Sequence, residues 1–279
     1  MGKIYHTFTL VSGDGTPLHG HYWKPEGKPR ACILLVHGIG EHGARYNDWA
    51  RRFVKLGFFV YALDYRGHGK AQGPRGFVHS LTELMDDVSM LVRRCERNFE
   101  DVPWFLYGHS MGGNLVLNFL RFRRQDFAGV VVTSPWLELV HPPKPWLQRL
   151  GRWADMWWPE WTFSTGIRSD QMTSVPAERE ELDKDPLMHG RISLRLFNEL
   201  NDSARFLMTK GLDFHLPMLL LHGEADPLTS CGATERFAAR YPENCSFKGY
   251  GGALHELHRE PVADLVFSDI VAWMEERLK

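Results

Sequence analysis

The sequence has no long hydrophobic run. No window approaches 18 apolar residues, so no membrane-spanning helix is expected. Met1-Gly2-Lys3-Ile4-Tyr5-His6 lacks the apolar core of a secretory signal. Cysteine is sparse: Cys32, Cys95, Cys231 and Cys245 are widely spread, and none has metal-ligand spacing. They read as reduced, mostly buried thiols of a cytoplasmic protein. An excess of one charge is missing too. The 33 basic and 34 acidic residues leave a net charge of −1, with no electrostatic footprint for nucleic acid or an anionic membrane. Internal repeats and low-complexity stretches are absent. What remains is an ordinary globular composition, 43% hydrophobic, over 279 residues. That length suits one large α/β domain with an insertion.

The apolar residues are ordered along the chain. Two short alternating runs, 5–11 and 18–23, flank Ser12-Gly13-Asp14-Gly15 as in a hairpin. Continuous apolar strands are expected at 31–36, 58–63, 103–107, 130–133 and 218–221, with a shorter one at 246–250. Helices are expected around Trp49–Leu56, stopped by Gly57, then over Leu81–Cys95, after residue 110, and over Val262–Trp273. Continuous apolar strands alternating with helices imply a parallel sheet covered on both faces. One stretch breaks the alternation. About 80 residues after Ser134 show no clear strand, which implies an inserted helical subdomain. It holds Trp136, Trp146, Trp153, Trp157, Trp158 and Trp161. Clustered with Leu147, Leu150 and Met156, they could line an acyl pocket, meet a lipid surface, or pack the insertion onto the core.

Gly108-His109-Ser110-Met111-Gly112-Gly113 spells G-x-S-x-G between a strand and a helix. That is the pattern of a nucleophile elbow, where a tight turn lifts the serine out of the sheet. A serine hydroxyl needs a base, and the base needs an orienting acid. In this plan they follow in the order serine, acid, histidine, on loops after strands. After the strand at 218–221 come Glu224 and Asp226, with Asp226 favoured by the Gly223 turn and Pro227. After the last strand come His255 and His258, with His255 nearer the turn at Gly251-Gly252. An oxyanion hole needs two backbone N–H donors, assigned to Met111 and Ile39. Gly38-Ile39-Gly40-Glu41-His42-Gly43 also spells a dinucleotide fingerprint, with Asp64 ending the next strand. Glu41 would repel a pyrophosphate there, so Asp64 reads instead as an anchor for the loop 65–69.

The chain resembles the α/β-hydrolase superfamily, and within it the monoacylglycerol lipase/lysophospholipase family. The resemblance runs from His37 to His258. It rests on His37-Gly38-Ile39-Gly40-Glu41-His42-Gly43-Ala44-Arg45-Tyr46, Leu63-Asp64-Tyr65-Arg66-Gly67-His68-Gly69, the elbow, and Leu254-His255-Glu256-Leu257-His258. It implies a mostly parallel eight-stranded sheet flanked by helices, with core segments 1–134 and 212–279 and a helical cap over 135–211. It implies Ser110, Asp226 and His255 as the triad. It also implies that Glu41, Arg45 and His258 hold the glycerol end of a lipid-like ester; a structural ion-pair cluster beneath the cap is the competing role. The expected activity is hydrolysis of monoacylglycerols, or of a broader range of carboxylic or lysophospholipid esters. Neither metal nor cofactor is needed, and transient membrane-surface contact through the cap is expected.

Overall fold

The computed structural model describes residues 4–123, 126–210 and 215–278. The first elements are β1 (Tyr5–Val11), β2 (Pro17–Trp23), β3 (Ala31–Val36), α1 (Asn47–Lys55) and β4 (Phe58–Asp64). They are followed by α2 (Leu81–Asn98), β5 (Trp104–His109), α3 (Met111–Phe122) and β6 (Gly129–Thr133). The alternation then stops for α4 (Pro145–Asp155), β7 (Thr162–Ser164), α5 (Ser169–Met172), α6 (Pro176–Lys184), β8 (Arg191–Ser193) and α7 (Leu194–Lys210). It resumes with β9 (Met218–Gly223), α8 (Cys231–Ala238), β10 (Cys245–Tyr250) and α9 (Ala263–Glu275).

Eight strands form one sheet in the order β1-β2-β4-β3-β5-β6-β9-β10. β1 pairs antiparallel with β2, and β2 with β4; the other pairs are parallel. The central strands are apolar on both faces because both are covered. Cys32, Leu34 and Val36 of β3 face a core layer shared with α2, α3, α7 and α8. Ala31, Ile33 and Leu35 face the other layer, with Trp49 and Phe53 of α1 and Val266 and Ile270 of α9. This period of two is what a strand dictates. α1 ends where expected: Gly57 takes φ +85° and donates to the Val54 carbonyl at 2.9 Å.

The segment between β6 and β9 is mainly helical, but it is not free of strands. β7 and β8 form a separate antiparallel pair, three residues each, too short for a periodic sequence signal. α7 packs the insertion onto the first layer, burying Leu196, Leu200, Ala204 and Leu207 there. Ser203 on α7 donates to Asn114 Oδ1 on α3 at 2.6 Å. The tryptophans divide unevenly. Trp136 is buried, whereas Trp146, Trp153, Trp157, Trp158 and Trp161 are 56 to 66% exposed. Met156 is 73% exposed. Packing of the insertion onto the core therefore does not account for these side chains. The expected boundary at 211/212 and the N-terminal Met1-Gly2-Lys3 lie outside the described residues.

Candidate active site

β5 delivers Ser110 at its carboxyl end, and α3 begins at the next residue. Ser110 takes φ 55° and ψ −119°, a conformation rare for any residue with a side chain. The turn is pinned on both sides. Ser110 N–H donates to the Thr133 carbonyl at 3.0 Å, and its carbonyl accepts from Asn114 and Trp136 N–H at 3.1 and 3.0 Å. The flanking glycines are required by contact. A Cβ on Gly108 would lie 2.6 Å from the Gly112 carbonyl oxygen, across the turn. A Cβ on Gly112 would instead strike the Val36 and His37 carbonyls at the end of β3. Gly113 lets α3 sit against Val132 and Pro135.

Ser110 Oγ lies 2.9 Å from His255 Nε2, and His255 Nδ1 lies 2.7 Å from Asp226 Oδ2. Glu224, the competing acid, is exposed, and its N–H donates to the Tyr250 carbonyl. All three aligned side chains are buried. Asp226 follows β9 and His255 follows β10, which lie side by side. Gly223 lets the two loops touch: a Cβ there would collide with the Ala253 and Leu254 carbonyls. Burial pushes the Asp226 carboxyl up, but His255 and His222 outweigh it, and its pKa falls well below the usual range. Burial likewise opposes a charged His255; Asp226 beside it more than offsets this, so its pKa is raised. The arrangement can deprotonate a hydroxyl and hold the resulting imidazolium.

Several supporting residues carry no motif. Ser134, with φ 46°, donates from Oγ to the His255 carbonyl at 2.8 Å. Thr229 Oγ1 donates to Asp226 Oδ2 at 2.9 Å, and Leu228 and Thr229 N–H donate to Oδ1 at 2.8 and 3.2 Å. His222 Nε2 lies 3.0 Å from Asp226 Oδ2. For His222 alone a signal existed: it stands four residues before Asp226 at a strand end.

Met111 opens α3, so its N–H has no partner within the helix. Ile39 lies on the loop after β3 and lines the space beside Ser110. Its loop is held from two sides. Tyr65 Oη donates to the His37 and Gly38 carbonyls, and Gly38 N–H donates to Glu41 Oε1. Asp64 ties down both neighbouring loops, accepting from Gly43 N–H at 2.7 Å and Lys70 N–H at 2.9 Å.

Two cavities meet at Ser110, Ile39 and His255. One, of about 220 Å³, is lined with polar groups that include Glu41, His109, Ser169, Asp183, Asp185 and His189. The other, of about 210 Å³, is mainly apolar and lined by Trp136, Leu139, Phe163, Ile192, Phe197 and Leu228. Of the three residues expected at the glycerol end, Glu41 alone lines the polar cavity. Arg45 lies behind it. Its guanidinium donates to Glu41 Oε2 at 2.8 Å and forks onto both Glu256 oxygens, each at 2.8 Å. His258 stacks on Tyr46 with ring centroids 4.7 Å apart, and burial lowers its pKa to about 3. The Arg45 guanidinium is thus engaged by carboxylates within the protein, whereas His258 Nε2 is buried without a hydrogen-bond partner among the described residues; neither side chain lines the polar cavity.

Comparison with known proteins yields consistent matches. The family model described as "Serine aminopeptidase, S33" matches residues 27–262. Monoglyceride lipase of Mus musculus is 34% identical over 277 residues, covering 96% of this chain and 90% of that protein. An uncharacterized abhydrolase domain-containing protein of Dictyostelium discoideum is 32% identical over 273 residues. There the match covers 97% of this chain but 29% of the longer protein. The crystal structure of Paleococcus ferrophilus monoacylglycerol lipase superimposes with a TM-score of 0.82 at 27% identity, covering 98% of this chain and 99% of that one.

Proposed function

The chain belongs to the serine aminopeptidase S33 family of α/β-hydrolases, and we propose that it is a serine ester hydrolase that cleaves monoacylglycerols to glycerol and fatty acid. One observation carries this reading. Ser110 Oγ is aligned with His255 and Asp226 where a polar and an apolar cavity meet. An ester with a polar alcohol and an apolar acyl chain fits such a junction, its carbonyl at Ser110.

In this reading His255 takes the Ser110 proton as Oγ attacks the ester carbonyl. Asp226 holds the imidazole, and the N–H groups of Ile39 and Met111 stabilise the oxyanion. The tetrahedral intermediate collapses, His255 protonates the departing glycerol oxygen, and an acyl-enzyme remains. Water, deprotonated by His255, attacks that ester and releases the fatty acid. Glu41 contacts glycerol from its face on the polar cavity, while Arg45 orients Glu41 from behind. Residues 135–211 act as the cap, and Trp136 and Phe197 help to shape the acyl side. The exposed tryptophans of the cap meet the lipid surface from which substrate is drawn. Among the described residues no helix is long and apolar enough to cross a membrane. The four cysteines are free, in keeping with a cytoplasmic protein working at a membrane surface.

A broader carboxylesterase is the second reading, favoured by the apolar cavity, which any acyl chain would fit. A lysophospholipase is disfavoured: Glu41, Asp183 and Asp185 line the side where a phosphorylated head group would sit.

The experiment is glycerol release from a monoacylglycerol by wild type and Ser110→Ala. Loss of turnover by about 10⁶-fold with an unchanged melting temperature is expected. Turnover that survives the substitution means another group is the nucleophile.

A further inference from the structure

Asp226 has a second imidazole partner besides the base. His222 stands on β9 with its side chain fully buried, four residues before Asp226. Its Nε2 lies 3.0 Å from Asp226 Oδ2, the oxygen that also holds His255. The same nitrogen lies 3.0 Å from the Thr229 carbonyl oxygen. Both neighbours only accept, so Nε2 carries a proton and donates. Nδ1 lies 2.8 Å from Thr234 Oγ1 on α8; with Nε2 protonated it accepts from that hydroxyl, whose other acceptor, the Ser230 carbonyl, is farther off at 3.5 Å. Both ring nitrogens are therefore used, and the tautomer and ring plane are fixed. The order of contacts runs Thr234, His222, Asp226, His255, Ser110, from a helix beneath the sheet edge to the reacting hydroxyl.

We propose that His222 is a positioning residue for ester hydrolysis: it holds the Asp226 carboxylate in the plane and rotamer that keep His255 Nε2 aimed at Ser110. It does not touch substrate, and no proton passes through it. The physical need is specific. Asp226 Oδ1 is fixed by the Leu228 and Thr229 N–H groups, whereas Oδ2 is the oxygen that faces His255 Nδ1. Thr229 Oγ1 also reaches Oδ2, but it lies 3.2 Å from the Ser134 carbonyl and 3.3 and 3.4 Å from His222 Nε2 and His255 Nδ1 as well. It is shared among four groups. The rigid donor on Oδ2 is the strand-borne imidazole of His222. Buried polar arrays of this kind are stiff only when every member is satisfied.

This inference rests on the reading of Ser110, His255 and Asp226 as nucleophile, base and acid. Its test is kcat and KM on a monoacylglycerol for wild type, His222→Leu, His222→Gln and Thr234→Val, each checked for folding by thermal unfolding. His222→Leu is expected to lower kcat by about 10- to 100-fold, the usual cost of losing a group that orients a reacting one. KM should stay near the wild-type value, because the ground-state contacts are untouched. His222→Gln keeps an N–H at comparable reach and should recover most of kcat. A folded His222→Leu with wild-type kcat, or a His222→Gln as impaired as His222→Leu, overturns the proposal. If His222→Leu does not fold, Thr234→Val decides: it removes the fixing hydroxyl at nearly constant shape. A fall in kcat at unchanged KM then supports the proposal, and unchanged kcat overturns it. Turnover that survives Ser110→Ala in the same assay would sink the underlying reading instead.

Discussion

Ser110 and Ser134 both hold positive φ, 55° and 46°, at positions where side chains rarely tolerate it. Each such residue costs on the order of 1–3 kcal/mol, which the surrounding hydrogen bonds offset. Both strained residues serve the same histidine: Ser110 faces its Nε2, and Ser134 holds its carbonyl. The state of that histidine sets the pH dependence. In the proposed mechanism His255 accepts a proton from Ser110 only when neutral. Burial pushes its pKa down, but the neighbouring Asp226 raises it above the ordinary value of 6.5. His255 thus stays protonated to higher pH than a free imidazole. The pH profile of kcat/KM should therefore show an acid limb above 6.5, with activity falling as pH drops through it. A limb below that value would mean burial outweighs Asp226. Ser110, Asp226 and His255 were legible in the sequence because each follows a recognisable strand in a fixed order. Ser134 and Thr229 were not assigned, because their roles arise from contacts between loops; His222, four residues before Asp226 on a strand, went unassigned although its spacing was visible.

The elements around the site are joined by charge as well as by packing. Arg45, on the loop after β3, links Glu41 on its own loop to Glu256, 211 residues on and next to His255. One guanidinium therefore holds the loop that carries Ile39 in register with the loop that carries the base. All three charged side chains are at most 3% exposed. Arg45→Met leaves two buried carboxylates without their cation and should destabilise the fold by about 3–5 kcal/mol in chemical denaturation. Stability unchanged by that substitution would contradict the clasp and restore a purely substrate-facing Arg45. The sequence shows that Arg45 stands four residues after Glu41, but nothing local shows Glu256 arriving beside it. The same limit governs whole elements. Central strands such as β3 and β4 were legible because every residue in them is buried and all but the terminal Asp64 are hydrophobic. β7 and β8 were missed because three residues carry no period, and α6 because Leu182 is its one buried residue. α8 starts at Cys231, where Ser230 Oγ caps it by accepting from Ala233 N–H.

On the scale of the molecule, the sheet supplies the chemistry and the insertion supplies the surroundings. Trp136 and Phe163 come from the insertion to the apolar cavity, while Asp183, Asp185 and His189 come from it to the polar one. The same segment turns five tryptophans outward. With a net charge of −1, binding to a bilayer would draw on aromatic and apolar burial rather than on charge. The protein should therefore sediment with neutral phosphatidylcholine vesicles, with little dependence on salt. Replacing Trp153, Trp157 and Trp158 together by alanine should cut the bound fraction and leave hydrolysis of a soluble short-chain ester unchanged. Equal binding by both proteins would remove the docking role. The central claim concerns which ester the polar cavity receives. The most direct measurement is kcat/KM on a monoacylglycerol against the methyl ester of the same fatty acid. A glycerol contact in the polar cavity predicts preference for the monoacylglycerol by about ten-fold, the worth of roughly 1.4 kcal/mol. Equal values for the two esters would contradict it and leave a carboxylesterase without glycerol recognition.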